Sequence, residues 1–464
     1  MLVVAASVAV VASCGSTASS FHPVLPPPAG ADRVTLLLSS TANDKLSEFE
    51  LTLTSITLMN ASGTAVAVYS NSNLEQFAEL IHLNAGSEPL ITTSVPQGVY
   101  TSAAVLFARP QFSCVTVNPF GGLEVSTYLS NLVSQSATVN LPSPITVGSS
   151  PVTLSLDLQA SQSSALSSCA AEATYSITPT FNLTVVPVSS QPTNVRNGLV
   201  AGIDGRILSV DAAGQNFTLE TPDGASLTFH SDGGTVFQGV NTSSALTAGM
   251  FVDMDGAVQL DGSLEATRIA VEDATAHDVI IGPLTEVVSL SSILTTMGLQ
   301  QQGDDISFPV LGFGAYFQFS SATAFQISGR FSNLASLPFP AKFDGSSIAV
   351  GQNVYISTPT IVLSGGTYTQ ATTVTLMPQT INGTIVSATS SGNFQIYTLS
   401  LAPYDLIPQL NGATSVVVYV DGSTQLLNSA PLAPGRVVRF NGLIFNDSGT
   451  LRMDCGQAND GVAE

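Results

Sequence analysis

With 464 residues the chain can build several hydrophobic cores, and its 32 acidic against 11 basic residues give a net charge of −21. So few cations leave little to displace counterions from phosphate, which excludes nucleic acid as a partner and disfavours docking on anionic lipid through a basic patch. Charged residues make up 9%, against about 25% in ordinary soluble domains; Ser, Thr, Asn and Gln between Val, Leu, Ile and Phe supply the polarity, the composition of an exported all-β protein.

The first element is the apolar run from Leu2 to Ala12. It is too short for a bilayer span of about 20 residues and has the length of the hydrophobic region of an export signal. It ends in Val11-Ala12-Ser13-Cys14. These residues resemble a bacterial lipobox: a branched aliphatic, two small residues, then the cysteine that receives lipid. The resemblance implies a signal peptide over 1–13, acylation of Cys14 and a lipidated tether over 14–31. It further implies a lipoprotein of the bacterial cell envelope, extracytoplasmic and held at the outer membrane through its N-terminal lipid anchor. No Lys or Arg precedes the run, although export signals carry a basic start, so a start codon upstream of Met1 is expected. Pro26-Pro27-Pro28 keeps the tether extended.

Short alternating strands follow over 32–188. Arg33 to Leu38 opens the unit, Phe49, Leu51 and Leu53 share one face, and Val152, Leu154, Leu156 and Leu158 point inward. Leu74 to Leu83 fits a helical turn or a further strand. Pro96-Gln97-Gly98-Val99-Tyr100 is a Pro-x-Gly turn whose tyrosine can hydrogen-bond at a sandwich corner. The signature is similar to that of exported bacterial sandwich domains, transthyretin-like and fimbrillin-like among them. Together with Leu51 to Ile56 it resembles the first domain of bacterial lipoproteins of unknown function. Cys114 and Cys169 fall in this unit, and an oxidising compartment favours a disulfide between them, stabilising by about 4 kcal/mol in the chain-entropy reckoning. With Cys14 acylated, Cys455 is left unpaired.

Beyond the linker from Pro187 to Asn197 the sequence repeats in three units, 198–275, 276–379 and 380–464. Each has a glycine-led first strand (Gly202 to Gly205, Gly282 to Leu284, Asn382 to Ile385) and a Thr-led segment (Thr235, Thr323, Thr424). Each then has a strand entered through glycine (Gly249, Gly351, Gly435). The middle copy carries an insertion over Leu290 to Gln302 and an aromatic run from Phe313 to Phe319. Five to six strands with a closing hairpin suit a small Greek-key barrel of OB type. The set resembles a repeated bacterial domain of unknown function, which brings no activity and no catalytic residue. The fold expected is therefore all-β, an N-terminal β-sandwich followed by three tandem OB-like barrels projecting as a rod.

Motifs for chemistry are missing. His22, His82, His230 and His277 lie in separate segments, and neither His-Glu-x-x-His, Gly-x-Ser-x-Gly nor a P-loop occurs. No catalytic residue, metal ligand or cofactor is assigned. Asp253, Asp255, Asp304 and Asp305 can supply oxygen ligands for Ca²⁺, but Asp253 and Asp255 alternate with Val252 and Met254 and read better as the wet face of a strand. Tyr316, Phe317, Phe319, Tyr397 and Tyr404 can line a sugar-binding groove, although alternating aromatics are more often core. The function expected is a non-enzymatic surface or periplasmic binding or structural module, with a carbohydrate-binding module as the alternative. The expected partners are the membrane, through the lipid anchor, and a cell-surface protein or polysaccharide. A hydrolase assembled across units would need a cleft bearing paired carboxylates or a Ser/His pair.

Overall fold

A computed structural model of the chain describes residues 27–461 apart from 42–44, 74–76, 84–85, 118–122, 131–134, 170–172, 212, 223, 276, 290–294, 301–302, 305–313, 332–333, 360–368 and 404. The signal peptide, Cys14, most of the tether, His22, Asp305, Phe313, Tyr404 and most of the insertion expected over 290–302 lie outside these residues. The protein is all-β.

In the sandwich, β1 (Ala31–Thr41), β2 (Glu48–Asn60), β3 (Ser87–Pro96), β4 (Gly98–Val117), β5 (Val152–Gln159) and β6 (Thr180–Val186) carry most of the core. One sheet runs β3-β1-β5-β6, with β1 parallel to β5 at Val34 opposite Val152; the other is built on the antiparallel pair β2 and β4. Leu154, Leu156 and Leu158 meet Phe49, Leu51, Phe107 and Phe181 between the sheets, all buried. The Tyr100 hydroxyl donates to the Pro96 carbonyl at 2.7 Å, closing the corner. Of the segment from Leu74 to Leu83, Ala78–Glu79 is a two-residue strand on β2 and no helix is present among its described residues. Cys114 and Cys169 are joined, with Cα atoms 5.9 Å apart, and Cys455 is free and buried.

Strand β1 is buried on both faces, which explains why Arg33 to Leu38 does not alternate. Val34, Leu36 and Leu38 enter the sandwich core, while Leu37 enters the core of the first barrel. Beside it the Thr35 hydroxyl donates to the Gly262 carbonyl at 2.7 Å.

The first barrel comprises β7 (Leu199–Val210), β8 (Asn216–Glu220), β9 (Ser226–His230), β10 (Val236–Gln238), β11 (Phe251–Val258) and β12 (Leu264–Asp273). Its order is β9-β8-β7-β11-β12, closed by a parallel pair between β9 and β12. The second contains β13 (Asp278–Ser289), β14 (Thr295–Gln300), β15 (Gly314–Phe319), β16 (Ala324–Ile327), β17 (Asn353–Thr358), β18 (Thr369–Gln370) and β19 (Thr373–Leu376). The third contains β20 (Gln379–Ser391), β21 (Phe394–Leu401), α1 (Leu406–Asn411), β22 (Ser415–Val420), β23 (Gln425–Leu426), β24 (Val437–Asp447) and β25 (Thr450–Asp460). It repeats the first, closed between β22 and β25. In the second the closing strand is in two pieces: β15 pairs with β18, and β16 with β19.

The repeated residues hold these closures. Thr235, Thr323 and Thr424 donate their hydroxyls to the carbonyls of Ala266, Ala371 and Cys455 at 2.8, 2.9 and 2.7 Å. Each hydroxyl also accepts the backbone N–H three residues earlier, from Asp232, Ser320 and Asp421. One threonine thus fixes a turn and ties it to the closing strand. Gly249, Gly351 and Gly435 sit at φ of 96°, 92° and 85°, a left-handed conformation that favours glycine. Their N–H groups reach the carbonyls of Ile207, Leu284 and Ile385 on the first strands.

The four units do not form a rod. Barrel 1 lies on β1 of the sandwich. Barrel 2 lies on barrel 1 through Phe251 and Tyr355, whose rings meet edge-on at 5.4 Å. Barrel 3 lies on barrel 2, with Phe339 against Tyr419 and Phe445. Arg196 of the linker then donates to the Leu427 carbonyl of barrel 3, bringing the last unit back beside the first. The outer faces of these strands stay apolar enough to pack, so the units close on one another instead of projecting into solvent.

Candidate functional site

Where the circuit closes, a cavity of about 650 Å³ lies between the sandwich, the linker and barrel 3. Its floor is the outer face of the β1-β5-β6 sheet, presenting Ser39, Ser155, Asp157 and Asn182; Arg196 comes from the linker, and Arg439, Asn459 and Asp460 from β24 and β25. Strand periodicity explains the floor: Leu38, Leu156 and Leu183 point into the sandwich, so their neighbours point out. Asp157 accepts from the Ser39 hydroxyl at 2.8 Å and from the Gln159 amide. Burial raises its pKa, against these hydrogen bonds. Asp460 accepts from the backbone N–H and the hydroxyl of Ser429. The lining offers hydrogen bonds and charge, with Ser39 and Asp157 paired on the floor.

Other polar clusters occupy the joints. Asp253 is fully buried, which corrects the expectation of a wet strand face: barrel 2 covers it. It accepts from Arg268 at 3.0 Å and from the Ser328 hydroxyl of barrel 2 at 2.9 Å. Asp255 pairs with Arg268 at 2.9 Å and with Arg330 of barrel 2 at 3.7 Å, and accepts the Gly202 N–H. Burial opposes ionisation of Asp255, yet Arg330 and Arg268 hold its pKa below the ordinary value. Their neighbours go the other way. Burial first, then Asp253, pushes Glu272 up to about 8 and Asp204 well above the carboxylate range. Among the described residues no group of three or more His, Cys, Asp or Glu is arranged to hold a metal ion.

Ser357, His277 and Asp273 also meet. The Ser357 hydroxyl donates to Asp273 Oδ2, and His277 Nδ1 lies 3.2 Å from that same oxygen and 3.3 Å from the Ser357 hydroxyl. A serine–histidine–acid relay needs the serine and the acid on different ring nitrogens. Here both face Nδ1, so the group fastens barrel 2 to barrel 1 without a proton path. His82 sits beside Glu79 and Glu88, and His230 beside Asn216. Of the candidate groove aromatics, Phe317, Phe319 and Tyr397 are core, and Tyr316 is 53% exposed on the outer face of barrel 2.

Of the cavity residues only the linker, Pro187 to Asn197, was marked in the sequence, and none for its chemistry. Their signal was faint: Lys45 and Lys342 are the only lysines and nine arginines carry the remaining positive charge, so any two arginines facing one space matter.

A family described as Domain of unknown function (DUF5666) matches residues 204–270, from β7 to β12 of barrel 1. No curated protein matches. Two solved structures of the single-stranded DNA binding protein from Thermus aquaticus align: a deletion mutant at 11% identity and the wild type at 12%. Each alignment covers 40% of this chain, with 95% and 93% of theirs, at a TM-score of 0.15. A glycoside hydrolase family 32 structure from Bifidobacterium adolescentis aligns at 10% identity over 92% of this chain and 67% of its own, with a TM-score of 0.11. Likeness this loose carries no argument about binding. What is corrected is the exclusion of nucleic acid on net charge alone. The physical fault lay in using net charge as an exclusion: it is a sum over the chain, whereas binding reads a local surface, and Arg196 and Arg439 share one.

Proposed function

We infer that this protein is a non-enzymatic binding and structural module of the bacterial cell envelope, exported as a lipoprotein with Cys14 as acyl acceptor. The observation carrying this reading is how the polar groups are used. The Asp253–Arg268 and Ser357–His277–Asp273 clusters are committed to joints between barrels, while the cavity at the closing seam is lined for hydrogen bonding. A pocket of this volume where units meet is the usual place for a ligand. Export is supported by the signal-like start and by the Cys114–Cys169 disulfide, since such bonds persist in oxidising compartments. The alternative, sugar binding by aromatics of a barrel groove, loses Phe317, Phe319 and Tyr397 to the core.

The test is expression of the full chain in a bacterial host with an alkyne fatty acid, followed by thiol labelling without reductant. The expected result is fatty-acid incorporation that Cys14→Ala abolishes, with Cys114 and Cys169 protected from label. A protein carrying no fatty acid, with both thiols labelled, overturns the reading.

A further inference from the structure

We propose that barrels 1 and 3 are closed by proton-sharing acid pairs, Asp232–Glu265 and Asp421–Asp454, so that their closing strands tighten in acid and loosen toward neutral pH, while the closure of barrel 2 is indifferent to pH.

The strand register places the pairs. In each barrel the closing contact is parallel: His230 stands opposite Glu265, Gln318 opposite Gln370 and Tyr419 opposite Asp454. Two residues beyond the first member come Asp232, Ser320 and Asp421, whose N–H groups donate to the repeated threonines. The second member directly precedes Ala266, Ala371 or Cys455, whose carbonyl accepts the threonine hydroxyl. The same two places therefore hold two carboxyl groups in barrels 1 and 3, and Ser320 with Gln370 in barrel 2.

Barrel 2 shows what the place is suited to. The Gln370 amide donates to the Thr323 hydroxyl and to the Ala371 carbonyl, both at 3.3 Å. An acid at this position becomes a donor only when protonated, and neutral Glu265 hydrogen-bonds Asp232. Two ionised carboxylates side by side repel instead, and burial adds to the cost.

The surroundings favour the proton. Asp454 lies between Leu443 of β24 and Tyr419 of β22, both in the core shared with barrel 2. Asp421 faces it, while Arg452 is engaged by Asp447 and the Tyr419 hydroxyl. Burial, then Asp421, pushes Asp454 up to about 6. Glu265 lies between Ala257 of β11 and His230 of β9. Burial, then Asp232 and more weakly Asp261, raises it against His230, and Asp261 also faces Arg33 of the sandwich at 3.9 Å. An acid raised in this way binds more protons closed than open, so closure weakens as pH rises through its range.

The experiment is hydrogen exchange of the full chain at pH 5 and pH 7.5, with protection corrected for the intrinsic pH dependence of amide exchange. An acid at about 6 when closed and about 3.9 when open weakens closure about tenfold between these conditions. Protection of β25 is therefore expected to fall between about threefold and tenfold. Asp454→Asn should abolish the fall, and Gln370→Glu should create one in β15. Glu272→Gln, at the joint of barrels 1 and 2, should leave the fall in β25 as it is. Should Asp454→Asn melt early, Asp421→Asn on the neighbouring turn decides, because removing the facing charge should shrink the fall. A change in β25 of less than about threefold, or a fall that survives Asp454→Asn, overturns the proposal. So does protection of β15 in Gln370→Glu that stays constant with pH.

Discussion

Replacing Thr424 by Val tests whether the repeated threonine is what closes these barrels. The substitution keeps the shape of the side chain and deletes one hydroxyl. Two hydrogen bonds go: the one to the Cys455 carbonyl at 2.7 Å and the one from the Asp421 N–H at 3.1 Å. Each contributes about 1 kcal/mol, and a backbone group left buried without a partner costs about 1–3 kcal/mol, so a local loss of about 2–4 kcal/mol is expected. A chain with several cores does not unfold in one step, so hydrogen exchange followed by mass spectrometry is the suitable assay. At 2 kcal/mol, amides of β25 exchange about 30-fold faster when exchange tracks local opening. Barrel 1 is unaffected; Thr235→Val gives the mirror result, confined to β12. Acceleration of less than threefold in β25, or acceleration spread evenly over all barrels, would refute the closure role.

Three other outcomes are expected. Glu272, at about 8 in the folded protein because of burial and then Asp253, binds more protons folded than unfolded; stability at this joint therefore falls as pH rises from about 4.5 to about 8 and levels off above. Glu272→Gln should raise the melting temperature at pH 7 and lose that advantage near pH 4; equal shifts at both pH values would contradict the assignment. Arg268→Met leaves Asp253 buried without its guanidinium and costs about 3–5 kcal/mol in chemical denaturation of the barrel 1–barrel 2 unit, and a loss below 1 kcal/mol counts against a charge clamp. Paired Cys114→Ala and Cys169→Ala changes should destabilise the sandwich by about 2–4 kcal/mol while exchange in the barrels stays as it was; loss of protection in all four units would show that the disulfide does more than staple its own sandwich.

The barrels were legible because their closure depends on local chemistry repeated in order. A threonine three residues after a turn donor and a glycine before a strand recur at matched places in every copy, and the hydrogen bonds they make explain why the copies align. Strand β5 was equally plain, since Leu154, Leu156 and Leu158 alternate with polar residues. Alternation misled at Asp253 and Asp255, where it reports only that two faces differ. Which neighbour covers the second face is decided by residues such as Ser328 and Arg330, about 75 positions away. The same holds for β1, whose second face is covered by barrel 1, and for the cavity, whose walls run from Leu37 to Asp460. No window of sequence contains such a juxtaposition, and composition averaged over the chain hid the pair of arginines at the seam.

The return of barrel 3 to the linker fixes more than shape. In an open string of repeats, gene duplication can add or drop a copy and leave the others intact. Here an extra barrel would push Leu427 away from Arg196, and a missing one would leave the floor of the seam without its roof. Three barrels are therefore what this closure requires, because the contact of Arg196 with Leu427 ties the linker before the first barrel to the last one.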